Sequence, residues 1–188
     1  MGFLSNSLAL RTELPKYKPL IKFLSIFSFL YLSWYLAYEF YLHPFGQPDE
    51  AVLSNSAIIS AGILKLLGFD IETGREYGWY FIAADGGSPI WVAEQCNGLK
   101  LFVLFTLFII AFPGKIITKF IFIPIGVITI HFLNCIRIVV LVIIARYAPG
   151  WMEFNHTYTF TLLVYAYIFF LWYIWVKHYS LYRKPDIR

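Results

Sequence analysis

The sequence predicts an all-α polytopic membrane protein: about four transmembrane helices, an outer amphipathic helix and a small outer β-hairpin. Three observations predict it. The chain is 60% hydrophobic and only 14% charged, with a mean hydropathy of +0.67, far from soluble globular averages. It contains four long apolar runs, each closed by a turn or a charge. Its basic residues gather on one side of those runs. A span needs about 20 apolar residues to cross a hydrocarbon core of roughly 30 Å, so 188 residues hold one membrane domain, 1–188, and no large soluble domain.

Taken in order, residues 1–20 form a basic cytoplasmic segment with Arg11, Lys16 and Lys18. The first apolar run begins at Leu20 or Ile21 and extends to about Leu42, where His43-Pro44-Phe45-Gly46 turns the chain. It is too long and too aromatic for a removed signal peptide, and no small-residue cleavage site follows it. Residues 43–97 form an outer-face insertion. Within it, Ala51 to Phe69 is moderately apolar but interrupted by Ser54, Asn55, Ser56, Ser60 and Lys65, which predicts an amphipathic helix on the surface or against the bundle, ended by Gly68. Ile71-Glu72-Thr73-Gly74 and Asp85-Gly86-Gly87-Ser88-Pro89 read as turns, and Trp79 to Ala83 and Ile90 to Ala93 read as the arms of a hairpin. The remaining spans are Gly98 to Phe112, stopped by Pro113-Gly114; Phe120 to about Tyr147, stopped by Pro149-Gly150; and Tyr158 to Val176, followed by a cytoplasmic tail, 177–188.

Charge orients this bundle. Ten of the fifteen basic residues fall before or just inside the start of the first span (Arg11, Lys16, Lys18 and Lys22), in the Lys115 and Lys119 loop, or in the tail, whereas Asp49, Glu50, Asp70, Glu72, Glu76, Asp85, Glu94 and Glu153 lie on the other side. The positive-inside rule then puts both termini in the cytoplasm and residues 43–97 outside. A crossing by Ala51 to Phe69 would reverse every later loop, which the charge pattern opposes. The net charge of +4 is thus a topology signal, and nucleic acid is not an expected partner.

Chemistry concentrates at the outer boundary. Glu94-Gln95-Cys96-Asn97-Gly98-Leu99-Lys100 sets a thiol directly before the second span. Arg137 lies in Asn134-Cys135-Ile136-Arg137-Ile138-Val139-Val140-Leu141, where a guanidinium costs at least about 2.5 kcal/mol to insert. Its alternative role is to neutralise a buried carboxylate or anchor a helix contact. Asn134, three residues earlier, shares nearly the same helix face. From Phe120 to Arg137 is roughly 25 Å of helix, so residues 138–147 overshoot the bilayer unless the helix tilts or breaks near Pro124 and Gly126. His156, in Glu153-Phe154-Asn155-His156-Thr157-Tyr158, stands before the last span on the same side, where a neutral imidazole can take a thiol proton and return it to a leaving amine.

Together Cys96, Arg137 and His156 make a nucleophilic site. Arginine favours thiolate or an acyl oxyanion, histidine moves protons, and cysteine forms a thioacyl intermediate. That is the logic of a peptidase or transpeptidase. His43 belongs to a turn, His178 to a cytoplasmic flank, and His131 to packing; Cys135 is a small buried hydrophobe. Lys100 either depresses the thiol pKa or snorkels to the interface. The two cysteines and four histidines lack metal-ligand spacing and there is no phosphate-binding glycine loop, so neither metal nor cofactor is expected.

The order Glu94-x-Cys96-Asn97-Gly98-Leu99, then Asn134-x-x-Arg137-Ile138, then His156 before a terminal span resembles the exosortase/archaeosortase family of membrane sorting enzymes. Leu66-Leu67-Gly68-Phe69 and the hairpin resemble its lead-in to the cysteine, and the likeness covers roughly Ile58 to Phe170. The resemblance implies a Cys96 nucleophile acting with Arg137 and His156 near the outer face of a bacterial inner membrane. It implies as substrates exported proteins whose C-terminal signal has a short motif, a transmembrane stretch and a basic tail, cleaved and then transferred to an acceptor. Family members commonly carry serine where this chain has Asn97, whose amide still donates hydrogen bonds. With four or five spans the chain resembles the compact form found in Bacteroidetes. Glu94 and Asn134 are supporting candidates that would hold His156 or Arg137, with Gly98 completing the motif. Two other readings are a non-enzymatic membrane scaffold or assembly factor with a buried ion pair, and a quinone-linked thiol oxidoreductase using Cys96 and Cys135. The latter predicts paired outer cysteines or Cys-x-x-Cys, and the sequence has neither.

Overall fold

A computed structural model describes residues 2–42, 47–93 and 98–181 of the chain. Helix α1 spans Gly2–Ala37 and runs into a π-helical turn, Tyr38–Leu42. Helix α2 spans Gln47–Leu66, with Asp49 and Glu50 in its first turn and Lys65 in its last, charges that complement the helix dipole at both ends. It closes in a Schellman cap: Phe69 N–H donates to Leu64 O at 3.2 Å and Gly68 N–H to Lys65 O at 3.0 Å, with Gly68 at φ +91, a conformation glycine adopts without strain.

Strands β1 (Ile71–Glu76), β2 (Trp79–Ala84) and β3 (Ile90–Val92) form an antiparallel sheet in the order β1-β2-β3. The two expected hairpin arms are thus β2 and β3, and the expectation is corrected by a third strand. Ile71 to Gly74, read as a turn, lies inside β1. The chain reverses instead at Tyr77 and Gly78, both with positive φ, as a two-residue hairpin loop requires. Gly74 pairs with Phe81, and a methyl on Gly74 would overlap the Phe81 ring. The glycine therefore seats an aromatic across the strands and keeps an otherwise polar strand in register.

Helix α3 spans Leu99–Ala111, α4 spans Ile116–Tyr147, and α5 spans Phe160–Ile174 after a series of short helical turns at 149–159. Among the described residues, three segments are long and apolar enough to cross a membrane: Tyr17–Leu42, Ile116–Tyr147 and Pro149–Tyr179; α3 is apolar but shorter. Many large apolar side chains, such as Phe29, Phe120, Ile128, Leu162 and Phe169, are exposed, as a multi-pass membrane protein requires where lipid replaces water. The expected second span, Gly98 to Phe112, is the short helix α3. It is trimmed by a left-handed Gly98 at one end and an extended Phe112 before Pro113 at the other.

Cross-helix contacts give the directions. Phe105 packs on Phe122 and Gly98 lies against Asn134, so α3 and α4 are antiparallel. Phe23 meets Phe108 and Phe112 at the far end of α3, while Lys100, near its start, lies over Tyr38. Helix α1 is therefore antiparallel to α3. Asn55 meets His131 and Ser60 meets Cys135, so α2 climbs parallel to α4. Of the serines that interrupt the α2 pattern, Ser60 bonds α4, and Ser56 and Ser60 are both fully buried, small side chains that allow close helix approach; the buried Ala57 and Ala61 border a recess against the sheet.

Two separate hydrophobic clusters result. A bundle cluster joins Phe105 and Ile109 of α3, Ile130 of α4, and Val164, Ile168 and Leu171 of α5, with Trp175 just beyond α5. A sheet cluster joins Leu53 and Leu64 of α2, Ile82, Ile90 and Val92 of the sheet, and Ile138, Val139, Val142 and Ala145 of α4. Helix α4 is unbroken through Pro124 and Gly126 and is about 48 Å long at 1.5 Å per residue. The stretch after Arg137, expected to overshoot a bilayer, is the part that the sheet cluster packs.

Candidate active site

Between the two clusters α4 carries a polar seam. Ile130 belongs to one cluster and Ile138 to the other; between them Asn134 is fully buried, Cys135 is fully buried, and Arg137 is 8% exposed. A guanidinium at this depth is costly unless the seam supplies polar company. Its Nε has no hydrogen-bond partner among the described residues.

Gly98 sits against this seam. Its φ of +77 turns the chain sharply into α3, and a Cβ there would stand 3.2 Å from the Phe102 ring and 3.5 Å from Asn134 Nδ2. Only glycine meets both the conformation and the space. Leu101 and Phe102 N–H groups both donate to Gly98 O, at 2.9 and 3.0 Å, so the segment entering α3 is held one helical turn from Arg137.

His156 is brought in from the other side. It lies in a π-helical turn, Asn155–Thr159, a widened geometry frequent at functional positions. Asn155 Nδ2 donates to Trp151 O at 2.8 Å, and Thr161 Oγ1 to His156 O at 3.4 Å. The imidazole lines a slot of about 310 Å³ whose other walls are Ile138 and Leu141 of α4, Met152, and the strand run 89–93 ending at Ala93. Arg137 is close enough to act on His156 electrostatically.

The sequence-derived residues therefore fall into two groups. Arg137, Asn134, Gly98 and His156 converge on one end of the seam. Cys96, Glu94 and Asn97 lie outside the described residues, in the segment that joins Ala93 in the slot to Gly98 on the seam. The histidine expected to serve packing does so: His131 Nε2 is 2.7 Å from Asn55 Oδ1 and its ring is edge-on to Phe102. Cys135 is shut away behind Ser60, whose hydroxyl donates to its carbonyl at 3.2 Å. Lys100 Nζ stands 5.8 Å over the Tyr38 ring, within cation–π range. Sequence reasoning missed the slot walls Trp79, Trp91 and Met152, as well as the buried bond from Tyr38 OH to Asp49 Oδ2 at 2.7 Å. The available signal was a pair of tryptophans on two short strands, Trp79 opening β2 and Trp91 in the middle of β3. No group of three or more metal-ligating side chains occurs among the described residues.

A multi-pass membrane fold with a buried arginine seam and a histidine-lined slot beside a small sheet defines a class of intramembrane or membrane-surface protein. The chain belongs to the transmembrane exosortase family, whose family model (Transmembrane exosortase, Exosortase_EpsH) matches residues 21–174. No curated protein and no solved structure matches the chain.

Proposed function

We propose that this chain is a membrane cysteine peptidase or transpeptidase that cleaves the C-terminal sorting signals of exported proteins and transfers the product to an acceptor. In this reading Cys96 attacks the scissile carbonyl, His156 takes the thiol proton and returns it to the leaving amine, and Arg137 stabilises the thiolate and the oxyanion. Asn134 and Gly98 hold the cysteine segment against the arginine, with Glu94 and Asn97 as supporting polar groups.

The observation that carries this reading is the convergence of the two described ends of the cysteine segment. Ala93 shares a slot with His156, and Gly98 rests on Asn134, one turn before Arg137. The four residues between them include Cys96, while the chain's other cysteine, Cys135, is fully buried. That burial also disfavours a disulfide-exchange role for the pair.

The two clusters support the topology that goes with it. The bundle cluster, with α1, α3, the first part of α4 and α5, makes four crossings. The sheet cluster, with α2 and the end of α4, makes an outer layer from the 43–97 insertion. Both termini, 1–20 and 177–188, are then cytoplasmic and the site faces outward from a bacterial inner membrane, the whole of 1–188 acting as one membrane domain. Surrounding lipid and exported proteins with a motif, a span and a basic tail are the partners.

The test is to express wild type beside Cys96→Ala, Arg137→Ala and His156→Ala and to follow C-terminal processing of co-expressed exported proteins with such tails. Wild type processes them and each variant fails. Normal processing by Cys96→Ala removes the proposal, and leaves the scaffold reading.

A further inference from the structure

Among the described residues, strand β3 has a partner on one side only: it pairs with β2 through Tyr80↔Val92, Phe81↔Trp91 and Ile82↔Ile90, and no described strand lies beyond it. Its open edge is not on the open surface. The run 89–93 forms one wall of the slot, with Ile138, Leu141, Met152 and His156 opposite. An antiparallel strand points alternate N–H and C=O pairs away from its neighbour, so the side of β3 away from β2 carries backbone donors and acceptors, on residues that line the same recess as His156.

Resting on the proposed function, we infer that the open edge of β3 is the substrate-docking strand: an extended peptide segment adds to the sheet as a fourth strand, in the slot between β3 and His156. An unpaired edge is matched by another peptide backbone, which supplies both donors and acceptors along its length. A lipid acyl chain supplies neither. Apart from His156, no titratable side chain among the described residues lines the slot, so the docked segment carries small or apolar side chains there. The edge is three residues long, about 10 Å at strand rise, enough to register a short motif and too short to hold a second copy of the chain. β3 leads through Ala93 into the segment that carries Cys96 in sequence. Trp79 and Trp91 stand at the slot mouth and also line a second recess beside Tyr77.

The experiment uses the full-length Cys96→Ala protein in membrane vesicles, with an exported protein whose processing by wild type depends on Cys96. A photo-cross-linking residue is placed at Trp91, and as a control at Glu72 on the opposite edge strand. Cross-links from position 91 to the residues just before the substrate's C-terminal span, and none from position 72, are expected. Cross-links from 91 only to lipid or to a second copy of the chain, or equal capture at both positions, overturn the inference. Trp91→Pro and Val92→Pro supply a second readout, because of two adjacent residues only one directs its N–H into the slot, and proline is tolerated only there. The variant that keeps the wild-type unfolding temperature is expected to lose about tenfold in kcat/KM relative to the alanine variant at the same position, the worth of one lost backbone bond. Equal rates for the two overturn the inference. If no substrate shows Cys96-dependent processing, the proposed function falls; if processing depends on Cys96 but nothing is captured at 91, only the docking strand does.

Discussion

Replacing Gly98 by alanine isolates the geometry that leads from the cysteine segment into α3. Alanine at φ +77 costs about 1–2 kcal/mol for a left-handed backbone. Its methyl would also stand 3.2 Å from the Phe102 ring, so that ring must give by a few tenths of an ångström, adding about 1 kcal/mol or more of overpacking, while Asn134 Nδ2 at 3.5 Å stays in ordinary contact. Gly78 provides the control: its φ is +84, but a methyl added there would meet nothing within 4 Å. Gly78→Ala therefore carries the backbone cost alone, about 1–2 kcal/mol, and Gly98→Ala about 2–4 kcal/mol. Chemical unfolding in mixed micelles measures the two, and Cys96-dependent processing in vesicles measures function. Gly98→Ala is expected to lose both stability and processing, Gly78→Ala stability only. Equal destabilisation by the two, with processing intact in both, would refute the claim that the tight turn of Gly98 onto the Phe102 ring matters to the proposed site.

Three other substitutions test separate parts of the structure. Arg137→Met is expected to leave the unfolding temperature unchanged or raised, since apolar replacement of a buried charge is often neutral or stabilising, while processing stops. Arg137→Lys keeps the charge without the planar fork and is expected to process at least about tenfold more slowly. Tyr38→Phe removes a 2.7 Å donor from the buried Asp49 carboxylate and is expected to cost about 1–3 kcal/mol in micelle unfolding. Gly126→Ala would drive a methyl into the fully buried Phe105 ring and destabilise by about 1–3 kcal/mol. The same change at Gly62, inside α2 with nothing within 4 Å, is expected to stabilise by about 0.5–1 kcal/mol.

Much of the helical framework was legible because lipid-facing helices must be apolar almost all round. Arg137 stood out because a guanidinium among isoleucines and valines has few innocent explanations. Strand β1 was not legible. Its burial pattern leaves only Ile71 and Gly74 partly covered, and its reversal uses Tyr77-Gly78, weaker in sequence than Asn-Gly or Asp-Gly. The serines of α2 read as interruptions of an apolar pattern; one of them, Ser60, bonds α4, a fact that depends on a helix some 75 residues away. The slot was invisible for the same reason, since its walls come from strands near 79 and 91 and helices near 138 and 156. The length of α4 beyond Arg137 looked like a problem of tilt. That stretch packs in a second hydrophobic cluster, which no local pattern announces.

The unbroken run of α4 makes the chain its own ruler. From Lys115 to Arg137 the chain climbs in a single helix of about 33 Å contour at 1.5 Å per residue, with no loop to absorb a change of length. If Lys115 lies at a membrane face, as proposed, the height of the seam above that face is set by counting residues. On the proposed function, a substrate anchored in the same bilayer is then selected by how far its scissile bond stands from its own anchor, before any side chain is read.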